Sequence, residues 1–130
     1  MLLDGVAEFR EMLAALPANL AAEAQDIVRD AAVAAFDADL AAYPPGELRD
    51  SMVLLDEGTP LDVVWRVTNK SPLSTFWEYG TQVRHTKMGY NRGAMPAAPT
   101  FVPNAQRARV DMLRRLVAVL EEAGFDVSNV

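Results

Sequence analysis

The chain has 130 residues, about half of them apolar and about a quarter charged, and a net charge of −6. A chain of that length buries roughly 70% of its unfolded surface, so one globular domain over residues 1–130 is expected without covalent staples. Cysteine is absent, which excludes disulfides and thiolate sites, and the longest apolar run is the six residues from Ala31 to Phe36, which predicts neither a secretory leader nor a membrane span.

Residues 2–16 carry Leu2, Val6, Phe9, Leu13 and Leu16 at the three-and-four spacing of an amphipathic helix that Pro17 should end. Asn19 is a good N-cap residue, and the alanine-rich stretch that follows to Ala42 predicts a helix roughly 36 Å long. One of its stripes is small and apolar (Leu20, Ala24, Ile27, Ala31, Ala35, Ala38); another is acidic (Glu23, Asp26, Asp30, Asp37) and must face water or a basic partner. Tyr43, Pro44, Pro45 and Gly46 break the helix.

The pattern then changes to period two. Leu48, Met52 and Leu54 alternate in the run from Leu48 to Leu55, and Leu61, Val63, Trp65 and Val67 alternate from Leu61 to Thr68. With Gly58 and Pro60 between the runs, this is the signature of a β-hairpin. Phe76, Trp77 and Tyr79 cluster before Gly80, as in a strand or short helical turn that ends in a tight bend. From Arg84 to Thr100 little periodicity survives, and Gly89, Gly93, Pro96 and Pro99 point to a loop of 17 residues. Connections that long are usually functional, so a partner contact is expected there, with Arg84, Lys87 and Arg92 as its cations.

Pro103 should open the last helix, whose apolar row is Ala108, Met112, Leu116, Val119 and Ala123, widened by Leu113, Val117 and Leu120 and stopped at Gly124. The fold expected is α+β: a long N-terminal helix, a small mostly antiparallel sheet with a β-hairpin, and a C-terminal helix packed on the sheet.

Charge is divided unevenly. Residues 1–65 hold 13 acids against 3 bases, a net −10, whereas residues 66–130 hold 5 acids against 9 bases, a net +4. Such polarity suits contacts between copies of one chain, a negative surface of one meeting a positive surface of the next.

Residues for chemistry are scarce. His85 is the single histidine and cannot make a zinc site alone. The paired acids Asp37 with Asp39 and Asp56 with Glu57 read as solvated features of a helix end and a turn rather than as an acid-base pair. Phosphate-loop glycines and a nucleophile elbow are missing. Arg107, Arg109, Arg114 and Arg115 lie on the last helix around Asp111, whose spacing predicts local ion pairs with Arg107, Arg114 and Arg115 rather than a nucleic-acid face. No catalytic, metal or cofactor-binding residue is therefore assigned, and no enzyme is expected. Glu78, set between Trp77 and Tyr79, needs a partner or solvent, and contact with a basic residue of the same or an adjacent subunit is one expectation.

The segment FWEYGTQVRHTKMGYNRGAMPAAPTFVPNAQRAR, from Phe76 to Arg109, resembles the tail-completion and head-tail joining (neck) proteins of long-tailed bacteriophages and prophages. In that family an aromatic and acidic strand ends in an E-F/Y-G-T bend, an irregular arm follows, and a proline-rich phrase opens the last helix. Here those features are Glu78, Tyr79, Gly80 and Thr81, then Pro96, Ala97, Pro99, Phe101, Val102, Pro103 and Ala105. Upstream, YPPGELRDSM stands where the family has P-x-x-T-G-x-L-R, with Pro45 in place of the threonine and Asn104 lengthening the downstream phrase.

The resemblance implies a structural subunit of the virion, made in the bacterial cytoplasm, that assembles with itself into a ring, six-fold to match a phage tail. Its implied partners are the head connector or head-closure protein and the tail tube or terminator protein. DNA would pass through the lumen without sequence-specific binding, and Glu23, Asp26 and Asp30 would face that channel. The assembly contacts would include Glu78, Tyr79, Gly80, Thr81, Arg84, Lys87, Arg92, Pro96, Pro99, Phe101 and Pro103. The alternatives are another particle component, such as a tail terminator or head-closure subunit, in a phage, prophage or gene transfer agent, and a small binding or regulatory module of a host cell.

Overall fold

The computed structural model describes residues 6–59, 62–81, 84–85, 91–93 and 96–127. It is α+β: a long N-terminal helix, an antiparallel hairpin and a C-terminal helix that packs on both.

The first helix, α1, spans Val6–Ala14, and the long helix, α2, spans Ala18–Ala42. Asn19 does not cap α2 as its side-chain chemistry suggests. Pro17 takes the cap position with extended backbone angles, and its carbonyl accepts the Ala21 N–H at 2.8 Å, so the helix is already turning at Ala18. At the far end Tyr43 returns to extended backbone, as a residue before proline must, while its N–H donates to the Asp39 carbonyl at 2.9 Å.

The first expected strand is shorter than its alternating pattern. Glu47–Asp50 form a helical turn, α3, entered through Gly46 at φ 130°, a left-handed-side conformation that side chains disfavour. Leu48 is thus buried by a helical turn rather than by a sheet face. Strand β1 spans Met52–Asp56 and pairs antiparallel with β2, Trp65–Asn69, in the register Met52 to Asn69 through Asp56 to Trp65. Leu61 lies outside the described residues, and Asp62 to Val64 are irregular. In the connecting loop the Asp56 carboxylate accepts the Gly58 N–H at 2.9 Å. A Cβ on Gly58 would stand 2.9 Å from the Asp62 carbonyl oxygen, so the tight return needs glycine there.

Beyond β2 comes α4, Leu73–Tyr79, which settles the aromatic cluster as helix. The long loop contains a further antiparallel pair, β3 (Arg84–His85) and β4 (Asn91–Gly93), with a register shift between Arg84 and His85. That irregularity explains why no two-residue period marks it in the sequence. The last helix, α5, runs from Phe101 to Glu122, two residues earlier than Pro103 suggests, and Gly124 at φ 92° follows its end.

Two apolar clusters share α2. In the first, Leu16, Leu20, Ala24 and Ile27 meet Leu116, Val119 and Leu120 of α5, with Phe9, Met12 and Leu13 of the N-terminal helix around them. In the second, Tyr43, Leu48 and Met52 pack with Phe36, Leu40, Val67, Trp77 and Phe101, so α5 touches the sheet through its first residue. Of the apolar rows read from the sequence, Phe9, Leu13, Leu16, Leu20, Ala24, Ile27, Met112, Leu116, Val119, Leu120 and Ala123 build the first cluster, and Leu2 lies outside the described residues. Leu113 and Val110 are the exceptions among the large apolar side chains of the last helix, since both are exposed. Among the described residues no helix is long and apolar enough to cross a membrane.

Candidate functional site

The two halves of the recognisable segment meet at Glu78. Helix α4 turns Trp77 and Glu78 inward and leaves Leu73, Phe76 and Tyr79 exposed, with Tyr79 the most exposed at 70%. Gly80 ends the helix at φ 76°, and its N–H donates to the Phe76 carbonyl at 2.8 Å. Glu78 is only 5% exposed. Its Oε1 accepts the backbone N–H groups of Thr100 at 3.0 Å and Phe101 at 2.8 Å, and its Oε2 accepts that of Val102 at 3.1 Å.

These amides begin α5, where N–H groups have no carbonyl of their own helix to reach. Pro103 has no N–H to satisfy, and Asn104 N–H makes the first intrahelical bond, to the Thr100 carbonyl at 3.1 Å. Every donor in the first turn is therefore satisfied, although Thr100 makes no side-chain cap of its own. A carboxylate of α4 is the cap, and its charge lies at the positive end of the α5 dipole. This corrects the expectation of a basic partner for Glu78: backbone amides of the same chain fill that role. The Thr100 hydroxyl instead donates to the Ala98 carbonyl at 2.9 Å and accepts the Trp77 indole N–H at 3.1 Å, while Ala98 N–H donates to the Trp77 carbonyl at 2.8 Å. Two of these bonds, from the Trp77 indole to Thr100 and from Ala98 N–H to the Trp77 carbonyl, join the cap in holding the phrase at Pro96–Pro103 against the one at Trp77–Thr81.

Beneath the cap lies a buried polar seam. Asp39 is 1% exposed, which overturns its reading as a solvated partner of Asp37; Asp37 itself is exposed. Asp39 Oδ1 accepts the Asn104 side-chain amide at 2.8 Å, and the Asn104 carbonyl oxygen accepts a guanidinium N–H of Arg107. Burial pushes the Asp39 carboxyl up to about 6; the Asn104 bond opposes the rise and the negative charge of Glu78 adds to it. Tyr43, also 1% exposed, packs edge-on against Trp77 with ring centroids 6.1 Å apart. Burial first, then Asp39 and Glu78, push its phenol up to about 12. The Tyr43 hydroxyl has no hydrogen-bond partner among the described residues, and Arg49 donates instead to the Tyr43 carbonyl at 2.8 Å.

The remaining expected contact residues divide into three sets. Pro96 and Pro99 are exposed, Gly80 and Thr81 are half-buried, and Phe101 and Pro103 are half-buried under the cap. Arg84 and Arg92 lie in the β3–β4 pair, where only the backbone is described, and Lys87 lies outside the described residues. The acidic stripe is partly neutralised: Asp26 and Asp30 stand 3.4 and 3.3 Å from Arg29, and Asp30 is 3.6 Å from Arg115. Glu23 is exposed. Asp111 is not the hub its spacing suggests. Among the described residues it pairs only with Arg114, at 3.8 Å, because Arg115 turns to Asp30 and Arg107 to Asn104.

Sequence reasoning missed Asp39, Tyr43 and Asn104. A signal existed for the first two, since Ala35, Asp39 and Tyr43 recur at intervals of four and continue the buried stripe. No group of His, Cys, Asp or Glu among the described residues is placed to hold a metal ion. Comparison with known proteins finds no family model, no curated protein and no solved structure that matches the chain.

Proposed function

We propose that this chain is a structural subunit of a tailed-phage or phage-like particle, assembling into a ring at the head-tail junction and working as scaffold rather than as enzyme. The observation that supports the reading is the Glu78 cap. The two phrases that carry the likeness to neck proteins form one physical unit, the carboxylate of one bonded to the amides of the other. The basic segment 82–95 connects the two phrases, which suits an arm presented to a neighbour.

In this reading the chain repeats around a six-fold ring, with head-to-tail contacts that close on themselves. The head connector or head-closure protein binds one side, and the tail tube or terminator protein the other. DNA passes through the lumen without sequence readout. Glu23, Asp26 and Asp30 face it, and the negative charge that Arg29 and Arg115 leave uncompensated keeps the duplex from adhering. Tyr79, exposed beside the arm, joins Arg84, Lys87 and Arg92 in the contact surface, and the chain resides in the neck of the virion.

The test is assembly followed by complementation. The purified full chain should give a ring by light scattering and negative-stain microscopy, and should restore head-tail joining to particles that lack their neck subunit. A chain that stays monomeric at every concentration and restores nothing would remove the reading. Restored tail-length control without joining would favour a terminator role instead.

A further inference from the structure

Among the described residues β1 pairs with one side of β2 and no strand pairs with the other. In the β1–β2 register, Glu57 N–H donates to the Val64 carbonyl at 2.8 Å and Lys70 N–H to the Ser51 carbonyl at 2.9 Å. Antiparallel ladders alternate bonded and non-bonded pairs, so the backbone groups of Trp65 and Val67 point away from β1. No hydrogen bond satisfies them among the described residues. A cleft of about 510 Å³ runs along this same side, between the Val63 to Val67 segment on one wall and Ala105, Ala108 and Met112 of α5 on the other, over Ala32 and Ala35 of α2. Exposed Val63 and Val64 lie at its mouth. A row of unpaired amides beside a groove floored with small residues is the shape that accepts an added strand.

The β3–β4 pair has the opposite deficit. It is a two-stranded hairpin that makes no extensive contact with any other element of its own chain among the described residues. A lone hairpin is marginal in water, and three or more strands over an apolar face are needed for independent stability. The segment from residue 82 to 95 has three cationic side chains and no acid, whereas Asp56 and Asp62, beside the open end of β2, are in no ion pair among the described residues.

We propose that β2 of one copy accepts the β3–β4 hairpin of a neighbouring copy as added strands, the hairpin lying in the cleft between β2 and α5. The inference rests on the ring reading and names its contact. The donor and acceptor surfaces differ, so the interface is head-to-tail and can close into a ring. The sheet grows from two strands to four across each subunit boundary.

The absence of cysteine makes the test direct. Copies carrying Arg66→Cys are mixed with copies carrying one cysteine at Arg84, His85, Asn91 or Arg92, and the mixture is oxidised mildly. A disulfide between the two kinds of copy, at one or more of the four positions, is expected, and its absence at all four overturns the proposal. In parallel, Ala32→Arg and Ala108→Arg fill the cleft from helix surfaces. Each should turn the ring into monomers by sedimentation while circular dichroism and the melting curve stay native. Rings that persist with the cleft filled overturn this contact and leave the ring reading standing. A wild-type chain that never assembles, together with cysteine-bearing copies that never cross-link, removes both.

Discussion

The two halves of α2 are held by different physics. From Leu20 to Ile27 it lies in an aliphatic seam with Leu116, Val119 and Leu120, where burial is non-directional and any well-shaped apolar side chain serves. From Asp39 to Tyr43 it ends among Trp77, Glu78 and Asn104, where each polar atom needs a particular partner at a particular angle and removal of one leaves another unpaired. The aliphatic half is where stability resides. The polar half fixes how α4 meets α5.

The largest effect should come from the first half. Leu120 is fully buried, and Leu120→Ala should cost about 3–4 kcal/mol in urea unfolding, through lost transfer energy and the cavity left behind. A loss under about 1 kcal/mol would mean that the seam collapses easily and that the contrast between the halves is overstated. Next in size is Glu78→Ala, which leaves three N–H groups at the start of α5 without an acceptor and should cost about 2–3 kcal/mol. Glu78→Gln retains one oxygen and no charge, so it should fall between. Amide exchange separates the cap from general destabilisation: Phe101 and Val102 should exchange faster in Glu78→Ala, and the Leu120 amide should not do so preferentially.

The same contrast explains what could be read from the sequence. Helical spacing exposed the seam because Leu20, Ala24, Ile27, Leu116, Val119 and Leu120 each obey a local period. The cap obeys none, since Glu78 meets amides 22 to 24 residues downstream, across a segment with no regular pattern. Glu78 was legible as a residue in need of a partner, and the partner was not legible. Leu48 shows the converse fault. Its alternation with Met52 imitated a strand, but Gly46 lets the chain close a helical turn that buries the same side chain. The hairpin within the arm escaped notice because a shifted register erases the two-residue period.

The polar half should also reveal itself through pH. The Asp39 carboxyl is raised from 3.8 to about 6, so between those values the folded protein holds a proton that the unfolded chain releases. The contribution of Asp39 to stability therefore falls as pH rises from about 4 to about 6, and above that the buried charge is a liability. Asp39→Asn removes the titration. Between pH 4 and 7 the difference in unfolding free energy between wild type and variant should shift by about 2–3 kcal/mol, with wild type favoured at the acid end. A pH-independent difference would place the carboxyl in a wetter setting than its 1% exposure implies.

The smallest expected effect concerns Asp111, and it is informative because the sequence alone makes the residue important. Three arginines lie three or four residues from it, the arrangement of a local ion-pair hub. In the folded chain one remains, Arg114 at 3.8 Å, with both side chains more than half exposed. Arg115 lies 3.6 Å from Asp30 on α2, and Arg107 donates to Asn104 in the polar seam. Exposed pairs of this kind contribute about 0–0.5 kcal/mol and weaken with salt, so Asp111→Ala should leave unfolding nearly unchanged at moderate ionic strength. Asn104→Ala removes the acceptor of Arg107 and the donor to Asp39 together, and it should cost several times more. Were Asp111→Ala the costlier of the two, the arginines would belong to the helix surface rather than to the seam, and the polar half of α2 would lose its anchor on α5.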